Sequence, residues 1–308
     1  MRKIIGLLFI LLLPALVSAQ SWKVYRFNLV YGVGASSFLG DLGGSSLSGT
    51  HMLRDFNLQS TRYAFSGGLR YKLSPYTSLR SNLTYGRLYG SDQIKNVEFY
   101  RAYRNLNFRT SIIEANMLYE ASFMKEQTTS RTRMRGVKGG GRGYIIHVNG
   151  FAGLGVFYFD PSGEELDSKG NSTGKWVKLR PLHTEGQTLL VSRPKTYSNI
   201  QLCVPIGLAF NIRVNRKWNA TLEYGIRYTF TDYIDDVSLN YVDPKMLKAQ
   251  GGTGELAAKM ANKTSNLLPA ITLPGSQRGD PRFTDAYMFA MLSLNYKVKA
   301  GRNNLPKF

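Results

Sequence analysis

The sequence predicts an all-β chain folded as an eight-stranded antiparallel transmembrane β-barrel, and three observations predict it. Eight segments alternate apolar and polar residues with a period of two, over lengths that suit a tilted spanning strand. Their polar faces carry Arg and Glu, too much charge for the core of a soluble sandwich. The connections between them alternate short and long, with one exception. Composition agrees: the 308 residues include 31 Gly, 19 Tyr and 16 Phe, the aromatic and turn-rich mixture that strands favour. A single cysteine and three histidines exclude an internal disulfide or a cysteine-based zinc site and argue against a dedicated metalloenzyme. No cofactor is expected.

In chain order, Arg2 and Lys3, the apolar run Ile4 to Leu13 and the small residues Val17, Ser18 and Ala19 read as a signal peptide over 1–19, with 20–308 as one barrel domain. The apolar run of about ten residues is too short to cross roughly 30 Å of hydrocarbon as a helix. Gln20 rather than Cys follows the cleavage site, so lipidation is not indicated. Removing these residues lowers the formal charge from +20 to +18. No later stretch offers the 18 uninterrupted apolar residues of a membrane helix.

The predicted strands are 24–38, 61–73, 76–89, 108–123, 144–159, 198–214, 218–230 and 287–298. In the fourth, Ile113, Ala115, Met117, Tyr119, Ala121 and Phe123 oppose Glu114, Asn116, Glu120 and Ser122. In the last, Met288, Ala290, Leu292, Leu294, Tyr296 and Val298 alternate with Tyr287, Phe289, Met291, Ser293, Asn295 and Lys297. With the apolar set on lipid, Arg70, Arg80, Glu114, Glu120, Glu223 and Arg227 turn inward, together with Arg26, Arg62, Lys72 and Arg213. An eight-stranded barrel is just wide enough to be filled by side chains, so a polar, self-pairing ion network is expected rather than a conducting pore. Cys203, beside Pro205 on the inward face, reads as an inert buried thiol.

With a periplasmic N-terminus, connections 74–75 and 215–217 are short and periplasmic, whereas 39–60, 90–107, 160–197 and 231–286 are long and extracellular, the outer-membrane pattern. The exception is 125–143, which should be periplasmic yet is long. Its Lys125, Arg131, Arg133, Arg135, Lys138 and Arg142 flank Gly139 to Gly141, and form a candidate arm for an acidic periplasmic partner. Outer-membrane lipid is the alternative, since anionic headgroups attract basic residues by about 1 kcal/mol each. Nucleic acid does not fit an exported barrel.

The last long connection contains Asp243-Pro244, a cap followed by a first-turn proline, and two short helices are expected over 246–250 and 255–262. Asp232, Asp235 and Asp236 group three carboxylates, but one short loop rarely supplies enough oxygen ligands for calcium and no EF-hand pattern is present. Arg278-Gly279-Asp280 matches an adhesion tripeptide, a signal too short to be specific. A lipid-modifying barrel enzyme would need a His beside a Ser nucleophile. His51, His147 and His183 lie in a loop, a strand and another loop, and their spacing argues no such set. The chain is therefore expected not to be an enzyme.

Several segments carry a family resemblance: Gly32-Val33-Gly34, Phe38 through Gly44, Tyr233 through Ser238, Tyr241-Val242-Asp243 and Arg278 through Pro281. Across nearly the whole mature chain the sequence resembles the PorG-like outer-membrane barrels of Bacteroidota. The resemblance implies a small barrel of the OmpA/OmpX kind in the cell outer membrane. It further implies a non-catalytic component of the type IX protein secretion system that anchors or positions a periplasmic ring lipoprotein and associated secretion subunits. The alternative is a structural barrel whose extracellular loops contact a translocon or another partner.

Overall fold

The computed structural model describes residues 25–42, 59–93, 103–124, 146–167, 171–189, 196–215, 217–264, 272–300 and 306–307. The expected signal peptide, His51 and the whole basic connection lie outside them.

Eight strands form the wall: β1 (Phe27–Leu39), β2 (Arg62–Lys72), β3 (Thr77–Ser91), β4 (Asn107–Ser122), β5 (Ile146–Tyr158), β8 (Ile200–Arg213), β9 (Trp218–Thr229) and β10 (Ala286–Ala300). Each pairs antiparallel with the next. β10 returns to β1 from Phe27↔Val298 to Leu39↔Ala286, which closes the cylinder. The two tight turns share one solution. Leu73 N and Ser74 N donate to Thr77 O while Ser74 Oγ accepts from Thr77 N; Val214 N and Asn215 N donate to Trp218 O while Asn215 Oδ1 accepts from Trp218 N. A short polar side chain that bonds its own backbone is what such turns require.

The period of two sets which side chains meet lipid. Outward Tyr31, Val33, Leu69, Leu83, Met117, Leu202, Leu222 and Leu292 are 55–59 % exposed, and Leu154 reaches 71 %. No soluble protein leaves so continuous an apolar belt in water, and a closed barrel has no unpaired edge to bury. The chain is an eight-stranded outer-membrane β-barrel.

Three features depart from the sequence reading. The connection after β5 is not bare loop: it forms a hairpin of β6 (Ser162–Leu166) and β7 (Ser172–Lys178), attached to the barrel through Ser162↔Arg109. Its polar, short strands show no apolar alternation to detect. A two-residue strand, β11 (Pro306–Lys307), pairs with the end of β10. The third departure is the lumen, which is not polar throughout. Toward the extracellular end, inward Phe38, Leu88, Phe108, Ile112, Phe157, Tyr287 and Phe289 form a buried apolar core. That core continues into the long connections, so this half of the barrel is packed like a soluble domain.

The expected helices form as α1 (Pro244–Lys248) and α2 (Gly254–Ala261). Asp243 caps α1 by accepting from Lys245 N, and Leu247, Ala257 and Met260 bury against the apolar core.

Candidate functional site

The six predicted lumen residues stand together. Arg70 and Arg80 are directly opposite each other on β2 and β3, a juxtaposition that like charges would oppose. Glu120 of β4 resolves it, lying 2.7 Å from Arg70 Nε and 2.8 Å from Arg80 Nε, and accepting from Ser78 Oγ at 2.7 Å. Arg80 Nη1 then reaches across the lumen to Glu223 of β9 at 2.6 Å. In the layer above, Arg227 of β9 lies 3.4 Å from Glu114 of β4, whose Oε2 also accepts from Tyr287 OH at 2.8 Å. Three guanidiniums meet three carboxylates, all six side chains are buried, and two of the links join opposite walls. Phe151 fills the remaining space. Its ring lies where a Cβ on Gly207 or Gly225 would come within 2.5–2.6 Å, so both positions need glycine. The arrangement is a plug.

Below the plug, the end that carries the tight turns opens into a polar vestibule of about 600 Å³, solvent at its mouth included. Arg70, Lys72 and Arg213 line it, and no Asp or Glu does among the described residues. The buried side chains of Asn28, His147 and Asn211 line it too, and their atoms Asn28 Oδ1, His147 Nδ1 and Asn211 Nδ2 meet no hydrogen-bond partner among the described residues. Such atoms need a polar occupant. β4 and β5 both end at this mouth, so the connection carrying Lys125, Arg131, Arg133, Arg135, Lys138 and Arg142 starts and returns there. Those six residues lie outside the described set.

Above the plug, the long connections form a cap. Leu42 N donates to Asp235, Asp280 N donates to Asp41, and Ile234 N donates to Asp285. Arg278 Nη1 sits 2.8 Å from Glu185 and donates to Asp236 O, while Arg104 spans Asp92, Asp41 O and Arg278 O. Asp236, at φ 64°, accepts from Thr184 and Tyr197. Phe159, Tyr197 and Tyr233 stack at 5.9 and 4.9 Å with rings within 12° of parallel. A Cβ on Gly279 would meet Asp41 Oδ2 at 2.5 Å and the Ser238 backbone at 2.7 Å. Residues 41–42, 233–238, 241–243 and 278–280 thus converge in this one cap, a convergence that sequence order conceals, while Gly32 to Gly34 belong to the wall strand β1.

Burial raises the carboxyl of Asp232 to about 8 and of Asp236 to about 6, and holds Asp235 and Asp285 well above the ordinary range. Burial also lowers the Lys263 amine to about 7, and Lys263 donates to Asn107 Oδ1. Among the described residues no group of three His, Cys, Asp or Glu is placed to hold a metal ion. Arg278 is 3 % exposed and committed to Glu185, so the adhesion-like tripeptide is structural. His147 lies in the vestibule and His183 in the cap beside Thr196 Oγ1, so the two do not converge.

No family model matches the chain, and no curated protein matches it. Solved structures similar to it include three outer-membrane proteins. Ail, the attachment invasion locus protein of Yersinia pestis, shares 7 % identity over 88 % of this chain and 98 % of that one, with a TM-score of 0.34. OprG from Pseudomonas aeruginosa shares 8 % over 89 % and 98 %, with a TM-score of 0.34. A major outer membrane protein from Thermus thermophilus shares 12 % over 88 % and 99 %, with a TM-score of 0.36. The barrel assignment itself rests on the closed strand pairing and the lipid-facing belt.

Proposed function

We propose that this barrel is a non-catalytic, non-conducting anchor that binds an acidic periplasmic partner at its lower mouth, as a component of a type IX protein secretion machine. The observation that carries the reading is the vestibule: cationic side chains line it, no carboxylate does among the described residues, and the basic connection springs from its rim. The ionic plug behind it supports binding over transport, because cross-lumen Arg–Glu pairs close the path that a solute would take. The resemblance of the cap-forming segments to PorG-like barrels supports the secretion assignment and names the partner class, a periplasmic ring lipoprotein with its associated subunits.

The test is purification in mild detergent followed by identification of what travels with the barrel. Neutralising Arg131, Arg133 and Arg135 together is expected to leave the barrel folded and inserted while weakening capture of the periplasmic partner at least tenfold, since three lost contacts of about 1 kcal/mol each exceed that factor. Undiminished co-purification would defeat periplasmic docking through this arm. Loss of the partner on deleting residues 244–265, with the arm intact, would instead favour docking through the extracellular cap.

A further inference from the structure

The outer wall carries a second set of cations that neither the plug nor the vestibule uses. In the β3–β4 register Tyr85 faces Ile113, Arg87 faces Ser111 and Tyr89 faces Arg109. By the parity that puts Leu83, Tyr85, Ile113 and Met117 on lipid, Arg87 and Arg109 also point outward, as diagonal neighbours on adjacent strands. Their guanidiniums make no ion pair to a carboxylate among the described residues.

Aromatic rings hold the cluster in shape. Trp176 of β7 lies 4.1 Å below the Arg109 guanidinium, Tyr89 lies 4.3 Å from that of Arg62, and the two rings are 6.5 Å apart. The Trp176 stack fixes Arg109 as a flat cation suited to bidentate hydrogen bonds, whereas Arg62 beside Tyr89 already donates its Nη1 to Gln59 O and Thr61 O. The β6–β7 hairpin carries Trp176 to this rim, and it attaches at Arg109 itself.

Height identifies the ligand chemistry. On β4 the exposed apolar row runs from Phe123 to Ile113, which at about 3.3 Å per residue and a tilt of about 40° spans roughly 25 Å, the hydrocarbon band of such a barrel. Arg109 lies four residues beyond, about 10 Å higher by the same geometry, in the headgroup layer of the outer leaflet. Guanidiniums there that touch no carboxylate favour an anionic ligand, and phosphate is the anion whose oxygens match their forked donors. Below them, Tyr85, Leu83 and Ile113 offer the apolar wall that acyl chains from the same molecule would cover.

We propose that Arg87 and Arg109, flanked by Tyr89 and Trp176, form an exterior binding site for the phosphorylated headgroup of an outer-leaflet glycolipid. The site is independent of periplasmic docking, and either can fail without the other. Native mass spectrometry of the intact barrel in mild detergent, titrated with bisphosphorylated lipid A, is expected to show a retained lipid adduct. Dephosphorylated lipid A should bind at least tenfold more weakly, and inorganic phosphate should not displace the adduct. R87Q/R109Q, checked for folding by its heat-dependent gel mobility, should lose the preference for the phosphorylated form, and R87K/R109K should retain part of it. Equal binding of the two lipid forms, an unchanged preference in R87Q/R109Q, or full displacement by inorganic phosphate would each overturn the proposal.

Discussion

The two halves of the lumen fill the same cylinder by opposite means. The periplasmic half is packed with Arg and Glu that bridge opposite walls, whereas the extracellular half is packed with Phe, Leu, Ile and Tyr that merge with the cap. A single strand supplies both: β4 turns Phe108 and Ile112 into the upper half and Glu114 and Glu120 into the lower. The contrast teaches that inward placement is set by the period of two alone, while the kind of filling is set by what lies above. Where loops seal the end, an apolar core works. Where the end opens to water, charges remain and must be paired.

The largest effect that tests this contrast is removal of the shared acid. Glu120→Ala removes the carboxylate of buried Arg70 and leaves Arg80 with Glu223 alone; it is expected to cost about 3–5 kcal/mol, read as the urea unfolding midpoint of the barrel in lipid vesicles by tryptophan fluorescence. A loss below about 1 kcal/mol would mean that water, not Glu120, satisfies those cations. In the apolar half, Leu88→Ala should cost about 3 kcal/mol through the lost transfer energy and the cavity it leaves. It should loosen the cap as well, which the Glu120 variant should not do; equal cap protection in the two variants would erase the distinction between the halves.

A smaller effect separates cap from barrel by pH. Asp232 and Asp236 have folded values raised above their unfolded value of 3.8, so the native cap binds protons more tightly than the unfolded chain. Their contribution is complete below about pH 4 and is lost as pH rises through 6 and 8. Lys263 acts oppositely but only above about pH 7, and His183, which burial lowers, is one group against four raised carboxylates. Between pH 6.5 and 4.5 the cap should therefore tighten as pH falls, seen as slower hydrogen exchange over residues 231–238 after correction for the intrinsic rate. Faster exchange at the lower pH would reverse the sign and refute it. The smallest effect is expected at the rim, where Lys178 pairs with Asp160 at 2.6 Å but stays 67 % exposed. Lys178→Gln should leave the unfolding midpoint unmoved.

The barrel wall was legible in the sequence because its signal is local. Alternation over ten or more residues fixes strand, face and parity together, and so places Arg80 or Glu223 inward without any knowledge of neighbours. What each inward group touches was not legible, since the links Arg80–Glu223 and Tyr287–Glu114 depend on how eight strands close. The cap was hidden for the same reason: Asp41 and Asp280 are 239 residues apart, and Leu42 and Asp235 are 193 apart. The hairpin β6–β7 escaped because its residues serve tertiary contacts rather than a two-faced sheet. Arg87 and Arg109 could have been found, since each shares the parity of lipid-facing neighbours. A cation on that face is the anomaly that marks them.

Buried ion pairs bridge the lumen, and the proposed binding role requires that they close it. Conductance of the purified protein reconstituted in a planar lipid bilayer tests it directly. A silent membrane is expected, without discrete steps in current at any holding potential that the bilayer tolerates. Stable, ohmic steps that recur with each insertion would show an open water path through the plug and contradict it.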